Sequence, residues 1–293
     1  MQASIVIRTY NEEAHLGSLI ETVTSQEHTD IDVEVIIVDS GSTDKTLHIA
    51  QTHRCNILHI AKEDFSFGRS LNLGCAAARG DYLIFISGHC IPVREDWLVN
   101  LIAPLKTCSA VYSYGRQLGD QRTRFSERQI FHKYFPEISK IPQEGFFCNN
   151  ANAALIRSVW QEYKFDEELT GLEDMELGKR LVNDGKKVAY VADAPIYHLH
   201  NESWSKIRKR YEREAIALQH IMPQIHISFL DFLRYYVSAI LLDMGIALEE
   251  KNLIRVIPEI IVFRLMQFWG SYKGNHLHRM LSAVTKEKYF YPK

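Results

Sequence analysis

The sequence predicts an α/β fold: a mostly parallel sheet flanked by helices, followed by a helical C-terminal region. Three observations predict it. Short β-branched runs alternate with helical patterns from Ile5 to Ile86, the alternation that builds a parallel, doubly wound sheet. The polar segments Thr9 to Glu12, Asp39 to Ser42 and Ser87 to His89 each follow a strand, and ligands of such sheets bind beyond the carboxyl ends of strands. Past Trp204 the periodicity becomes helical and amphipathic.

Element by element, Ile5 to Ile7 and Val33 to Val38 are apolar on both faces, as strands buried in a parallel sheet are. Between them Glu12 to Ser25 reads as a helix, with Leu16, Leu19, Ile20 and Val23 on one face. Ser42-Thr43-Asp44 caps a second helix through Gln51, because side-chain oxygens satisfy free backbone N–H groups. Asn56 to Ile60 is a third strand. Ser70 to Ala78 is a helix closed by Gly80, and Tyr82 to Ile86 a fourth strand. Val111 to Pro142 is mixed and gathers Arg116, Arg122, Arg124 and Arg128. A second α/β segment runs from Asn149 to Tyr197, with a helix over Met175 to Asn183 and a strand over Val188 to Val191. The last helices are Ser205 to His220, strongly basic, then Phe229 to Leu248 and Ile257 to Trp269, both apolar with isolated charges.

At 293 residues the chain has ample length for a core, and 46% hydrophobic with 24% charged residues is ordinary for a globular protein. A net charge of −2 gives no reason to expect nucleic acid. The charge is uneven, however. From Ser205 onward 14 Lys+Arg face 8 Asp+Glu, a net of +6, which leaves −8 on the remainder. Such a tail suits an anionic surface or ligand, and equally a solvated helical face. Cys55, Cys75, Cys90, Cys108 and Cys148 are odd in number with no C-x-x-C pair, which predicts reduced, mostly buried thiols in a cytoplasmic protein. The first strand starts within four residues of Met1, so no signal peptide is expected. No stretch approaches the roughly 20 uninterrupted apolar residues of a spanning helix.

Three blocks in order carry a family resemblance: Ile5-Val6-Ile7-Arg8-Thr9-Tyr10-Asn11-Glu12, Val35-Ile36-Ile37-Val38-Asp39-Ser40-Gly41-Ser42-Thr43-Asp44, and Leu169-Thr170-Gly171-Leu172-Glu173-Asp174. Together they resemble the family 2 glycosyltransferases of bacterial polysaccharide biosynthesis, over about the first two thirds of the chain. The resemblance implies the GT-A, Rossmann-like fold over 1–204, with a nucleotide-sugar half over about 1–110 and an acceptor half over about 111–204. The helical region 205–293 follows as a membrane-associating candidate. It further implies an inverting transferase that moves a sugar from a nucleotide-sugar donor to a saccharide or lipid-linked acceptor in surface polysaccharide biosynthesis. The expected location is the cytoplasm, with peripheral contact at the inner face of the cytoplasmic membrane. UDP, GDP and dTDP donors are all open, with a CMP-sugar the minority option.

By this resemblance Thr9 and Asp39 contact the nucleotide, and Tyr10, Glu12 and Ser87 wall the same pocket. Asp39 before Ser-Gly-Ser can equally cap its own turn. Arg69, in Phe67-Gly68-Arg69-Ser70-Leu71-Asn72, resembles the family's basic residue near the donor phosphates. A cation at a helix start is otherwise misplaced against the dipole, so an anionic neighbour is expected. Glu173-Asp174 matches the acidic pair, with Asp174 as base and Glu173 orienting the site. An acidic first turn of a helix is the alternative. Asn149, Asn150 and Asn152 match the acceptor segment, since amides pair with sugar hydroxyls without charge, although they also suit turns. The departure from the family is Ile86-Ser87-Gly88-His89, where most members carry D-x-D. His89, with His198 and His200, then forms a metal or phosphate candidate. Neutral imidazoles favour Mn²⁺ over Mg²⁺, so metal is expected to be weak or dispensable. Two other readings remain. One is an inactive nucleotide-sugar-binding partner, prompted by the lost D-x-D. The other is a sugar nucleotidyltransferase, which wants a glycine-rich basic loop where Arg8-Thr9-Tyr10-Asn11 has no glycine.

Overall fold

The computed structural model describes residues 1–26, 31–276 and 289–290. Two compact units form. The first comprises Met1–Asp120, Phe135–Glu168 and Glu173–Leu199, and the second Gln121–Tyr134, Leu169–Leu172 and His200–Lys293.

In the first unit the chain runs β1 (Gln2–Thr9), α1 (Leu16–Thr24), β2 (Asp32–Asp39), α2 (Thr46–Thr52), β3 (Asn56–His59), α3 (Phe67–Ala77), β4 (Tyr82–Ser87), β5 (Cys90–Pro92), α4 (Trp97–Lys106) and β6 (Tyr112–Leu118). After α5 (Phe125–Tyr134), which belongs to the second unit, come β7 (Asn152–Ile156), α6 (Arg157–Tyr163), α7 (Glu173–Asn183) and β8 (Val188–His198). The eight strands form one sheet in the order β3-β2-β1-β4-β7-β6-β8-β5. Four pairings are parallel (β1 with β2 and β4, β2 with β3, β6 with β8) and three antiparallel (β7 with β4 and β6, β5 with β8). The parallel half was readable because its strands are continuous apolar runs. The antiparallel partner β7 lies in the amide-rich start of the α/β segment predicted from Asn149 to Tyr197, where the pattern singles out no individual strand.

One face of the sheet carries a core in which Ile5, Ile7, Leu16, Leu19, Ile20, Trp97 and Leu101 are all fully or almost fully buried. Burial of each such side chain contributes about 1.5–3 kcal/mol. Helix α1 begins at Leu16, not at Glu12. Residues 12 to 15 form a turn because the backbone N–H groups of Glu12 and Glu13 donate to Thr46 Oγ1 and Asp44 Oδ2, not into a helix. Helix α3 starts earlier than the sequence suggested, with Ser66 as N-cap accepting from Arg69 N. Gly68 permits this, since a Cβ there would lie 2.0 Å from Asp166 O. Of the cysteines, Cys75, Cys90 and Cys148 are buried, Cys55 half-buried and Cys108 exposed, all free.

The second unit is helical: α5 with α8 (Trp204–Ile221), α9 (Phe229–Glu249) and α10 (Leu253–Asn275). Helix α10 lies close on α8 through Gly270 and Gly274, where a Cβ would come 2.4 Å from Arg208 O and 2.1 Å from Glu212 O. A buried ion pair, Arg264 with Asp243 at 2.7 Å, joins α10 to α9 and holds Ser126 of α5. Segments 121–134, 169–172 and 200–204, which the sequence pattern assigned to the α/β part, thus fold with the helical region. Among the described residues no helix is long and apolar enough to cross a membrane.

Candidate active site

The ends of β1 and β2 are in register, Thr9 beside Asp39, so their following loops meet. Asn11 takes a left-handed backbone, φ 57°, which Asn tolerates better than most residues. Its Oδ1 accepts from Thr43 N at 2.8 Å, and its N–H donates to Ser42 Oγ at 2.9 Å. Glu13 N donates to Asp44, and Lys45 N donates to Glu13. Asp39 is fully buried. Its oxygens accept from Thr9 Oγ1 (3.1 Å), Ser42 Oγ (2.5 Å), Gly41 N (2.9 Å) and Ser42 N (3.0 Å). A carboxylate has about four lone-pair directions, so in this structure Asp39 organises the loop. Lys62 Nζ lies 5.2 Å over the Tyr10 ring at the rim of these loops.

The acidic pair opens α7. Leu172 precedes it at φ 57°, a conformation that costs a non-glycine residue about 1–2 kcal/mol. Glu173 and Asp174 are both buried. Arg8 of β1 reaches Glu173 Oε1 with Nη1 at 3.1 Å and lies over the Phe67 ring. Asp174 Oδ2 accepts from Asn150 N and Oδ1 from Met175 N, both at 2.8 Å. Burial and the neighbouring Glu173 charge outweigh these hydrogen bonds and Arg8, and push the Asp174 carboxyl up to about 7. Beside it, Asn150 accepts from Tyr112 OH at 2.5 Å. Its Nδ2 is buried with no acceptor among the described residues.

A hydrogen-bonded track joins this pair to the strand end of β4. Glu12 Oε1 lies 2.8 Å from His89 Nδ1, and His89 Nε2 lies 3.2 Å from His198 Nε2. His198 Nδ1 lies 2.7 Å from Gln117 Oε1, and Gln117 Nε2 donates to Asn149 Oδ1 at 2.9 Å. Asn150, next along the chain, bonds Asp174. Arg8, paired with Glu173, is in register with Ser87 of β4. Glycine is required at 88, where a Cβ would lie 2.8 Å from Glu12 Cγ and 3.2 Å from Arg8 O.

Strand-end loops, a buried carboxylate pair and a polar track between them match a known arrangement. The sequence model described as glycosyl transferase family 2 matches residues 4–164. The chain belongs to glycosyl transferase family 2. It is therefore a glycosyltransferase of an inverting family that uses nucleotide-sugars. Among curated relatives it is similar to an O-antigen chain rhamnosyltransferase of Salmonella typhimurium, 29% identical over 72% of this chain and 70% of the relative. A second, from Salmonella anatum, is 29% identical over 64% and 62% respectively. Among solved structures, a mannosyltransferase from Pyrobaculum calidifontis in complex with GDP-Man and Mn²⁺ superimposes with TM-score 0.61. It shares 13% identity and covers 99% of this chain and 87% of that one. Glucosyl-3-phosphoglycerate synthase from Mycobacterium tuberculosis gives 0.56 at 20% identity, covering 75% and 79%. At such identities the superpositions speak for the fold, which is GT-A.

Several residues of this family 2 glycosyltransferase stand elsewhere than the sequence implied. Arg69 has its anionic neighbours within the chain: Nε donates to Glu167 at 2.9 Å, and Asp64 Oδ1 lies 3.7 Å from Nη1. The helix-start mismatch is thus resolved by protein carboxylates and needs no phosphate. Asn152 is wholly buried and spent on the fold, accepting from Trp97 Nε1 and donating to Arg116 O and Ala194 O. It therefore faces no acceptor, whereas Asn150 keeps an unused donor beside Asp174. His198 closes β8, and one ring nitrogen each of His89, His198 and His200 lie within 4.8 Å of one another, as the sequence implied for these three; His200 itself is counted with the second unit. There its Nδ1 lies 2.8 Å from Glu127 Oε1, which Arg210 also contacts. Burial alone would raise the Glu127 carboxyl, yet His200 and Arg210 hold it at about 2. Arg210 further pairs with Glu202, so one guanidinium bridges both carboxylates of this cluster. Arg8 and Gln117 were missed by sequence reasoning. An arginine within the otherwise apolar strand Ile5–Thr9 was a usable signal for Arg8, whereas Gln117 offered none.

Proposed function

We propose that this enzyme transfers a sugar from a nucleotide-sugar to a saccharide or lipid-linked saccharide of a surface polysaccharide, with Asp174 as catalytic base. The carrying observation is the buried Glu173–Asp174 pair, with Asp174 raised to about 7, where a base is best matched to neutral pH. In the reaction an acceptor hydroxyl gives its proton to the Asp174 carboxylate as its oxygen attacks the anomeric carbon. The bond from that carbon to the phosphate oxygen breaks, and its electron pair leaves with the nucleotide. Asn150 Nδ2 is the donor available to a substrate hydroxyl. Arg8 holds Glu173 in place through their 3.1 Å pair. The relatives named for O-antigen chains favour a polysaccharide acceptor. Isotopic detection of transfer to polysaccharide precursors, over a panel of nucleotide-sugars, tests this reading. Absence of transfer with intact nucleotide binding would favour the inactive-partner alternative.

The nucleotide belongs at the loops after β1 and β2, with Thr9, Tyr10, Glu12, Asp39 and Ser87 around it. Thr9→Val is expected to weaken nucleotide binding by about 1–3 kcal/mol, because it leaves Asp39 one donor short at the pocket. Asp39→Ala should do so more strongly and also lower the melting temperature, since it strands three further loop donors. Calorimetry showing unchanged affinity in both variants would place the nucleotide elsewhere.

A divalent ion fits the donor set at the end of β4: two imidazole Nε2 atoms 3.2 Å apart, His89 backed by the Glu12 carboxylate. When bound there it would supply positive charge for the departing diphosphate. His89, His198 and His200, with ligand atoms within 4.8 Å of one another, would hold it.

Peripheral contact with the inner face of the cytoplasmic membrane is proposed for α9. From Tyr235 to Leu248 its exposed residues Tyr235, Val237, Leu241, Leu242, Ile246 and Leu248 carry no charge, and Phe229 and Trp269 are exposed at one end. Apolar faces with aromatic ends suit a membrane interface. Arg208 and Arg210 of α8 are engaged with Glu212, Glu127 and Glu202, so apolar contact should outweigh salt-sensitive attraction. Co-sedimentation with anionic liposomes is expected, only slightly weakened by salt and abolished in Leu241→Glu/Leu242→Glu. No sedimentation at low salt would sink the membrane contact.

A further inference from the structure

We propose that Arg8 binds the diphosphate of the nucleotide-sugar, its guanidinium meeting the charge that develops on the departing phosphate. The proposal rests on the reading above that the nucleotide lies at the loops after β1 and β2. Arg8 is the penultimate residue of β1, in parallel register with Val38 of β2 and Ser87 of β4. Ligands of parallel sheets bind at these carboxyl ends. Registered residues of parallel neighbours point to the same face of the sheet, so Arg8 shares a face with Ser87, which stands where most family members begin D-x-D. The guanidinium is held in a fixed plane. Its carbon lies 4.9 Å over the Phe67 ring, and Nη1 lies 3.1 Å from Glu173 Oε1 and 3.5 Å from Phe67 O. All of these polar contacts go to Nη1. Among the described residues Nε and Nη2 have no acceptor, and neither is one of the buried polar atoms left without a partner. Solvent therefore reaches them, in keeping with a side chain that is 16% exposed.

Nε and Nη2 form the side-on fork of an arginine, the edge that takes two oxygens of one anion. Elsewhere in this chain Arg94 uses that edge on Asp96, and Arg264 uses it on Asp243. In Arg8 the fork stays open, because Glu173 occupies only Nη1. An anion with two oxygens fits it, and a phosphate of the donor supplies them. When the bond from the anomeric carbon to the phosphate oxygen breaks, the electron pair stays on that phosphate, while the acceptor proton goes to Asp174. A positioned guanidinium stabilises the negative charge so formed. Arg69, which the resemblance set near the phosphates, has Nε on Glu167 and Nη1 near Asp64. The cation with an open edge at the strand ends is Arg8.

Calorimetry on the full chain, once in chelator and once with Mn²⁺, compares UDP, GDP and dTDP with uridine, guanosine and thymidine. None of these probes carries the donor sugar, so a difference between the two sets reports on phosphate and not on a sugar carboxylate. For the base that the wild type binds, Arg8→Gln should lower diphosphate affinity about 10–100-fold, the size of a lost charge-assisted hydrogen bond, with nucleoside affinity held within about twofold. Arg8→Lys keeps the charge without the fork and should fall between. Glu173→Gln leaves the guanidinium in place and should bind the diphosphate at least as tightly as wild type. If Arg8 acts only through Glu173, Arg8→Gln and Glu173→Gln will show the same loss, and that result would overturn the proposal. Diphosphate and nucleoside affinities that fall together in Arg8→Gln would overturn it too, as would diphosphate affinity within twofold of wild type. Should Arg8→Gln fail to fold because Glu173 is left buried without its partner, Arg8→Gln/Glu173→Gln removes both charges and is read against Glu173→Gln. A wild type that binds neither diphosphates nor nucleosides under either condition would reject the nucleotide reading itself, and the role of Arg8 with it.

Discussion

Asp174→Asn is expected to lower sugar transfer by about 10²–10⁴-fold while nucleotide affinity stays within about twofold of wild type. The asymmetry follows from placement. Asp174 is held by Asn150 N and Met175 N on α7, whereas the proposed nucleotide loops are built from Asn11, Asp39, Ser42 and Asp44. Wild-type activity should rise with pH through about 7, the value to which burial and Glu173 raise the carboxyl. Stability should run the other way. A carboxyl with a raised folded pKa binds more protons folded than unfolded between its ordinary value and about 7. Its contribution is therefore full at acid pH and lost as pH rises through about 7. Asp174→Asn removes that loss, so its melting temperature relative to wild type should climb between pH 5 and pH 8, a range set by the same shift. Near-normal turnover would reject Asp174 as base. A melting difference flat across that range would mean that the carboxyl is not raised.

Arg264→Met should destabilise the second unit by about 3–5 kcal/mol, the usual consequence of leaving a buried charge without its partner. Arg264 makes a two-pronged pair with Asp243, Nε to Oδ2 and Nη2 to Oδ1, both at 2.7 Å, and both residues are buried. Asp243 also accepts from Ser126 Oγ at 2.6 Å, so α5, α9 and α10 meet at one carboxylate. The double variant Asp243→Leu/Arg264→Met should recover much of the loss, because paired desolvation is relieved together. Chemical denaturation of the single and double variants measures both. A single-variant loss below about 1 kcal/mol would show that Asp243 finds water or another partner.

What could be read along the chain was what neighbouring residues decide among themselves. The strands around Ile5–Ile7, Val33–Val38 and Tyr82–Ile86 announced themselves because burial on both faces demands continuous apolar runs. The polar loops after the first two could be located because Thr9 to Glu12 and Asp39-Ser40-Gly41-Ser42 put polar groups where such runs stop. The five cysteines, odd in number and without pair spacing, did indicate free thiols.

Other features depend on partners far away in sequence, and only the tertiary structure decided them. Whether Asp39 faces solvent or its own turn depends on where Ser42 Oγ and Thr9 Oγ1 point. Whether Asn150 or Asn152 keeps a free donor depends on the carbonyls of Arg116 and Ala194, 36 and 42 residues from Asn152, which take up its Nδ2. His198 and His200, alternate residues in sequence, take different partners at Nδ1, Gln117 Oε1 for the first and Glu127 Oε1 for the second. Whether His89 meets a carboxylate depends on Glu12, 77 residues earlier, whose Oε1 lies 2.8 Å from His89 Nδ1 beside Gly88. The physical reason is common to all four. Residue type and spacing specify what a group can donate or accept, but a hydrogen bond or ion pair exists only at distances of about 3–4 Å, and folding alone brings distant segments that close.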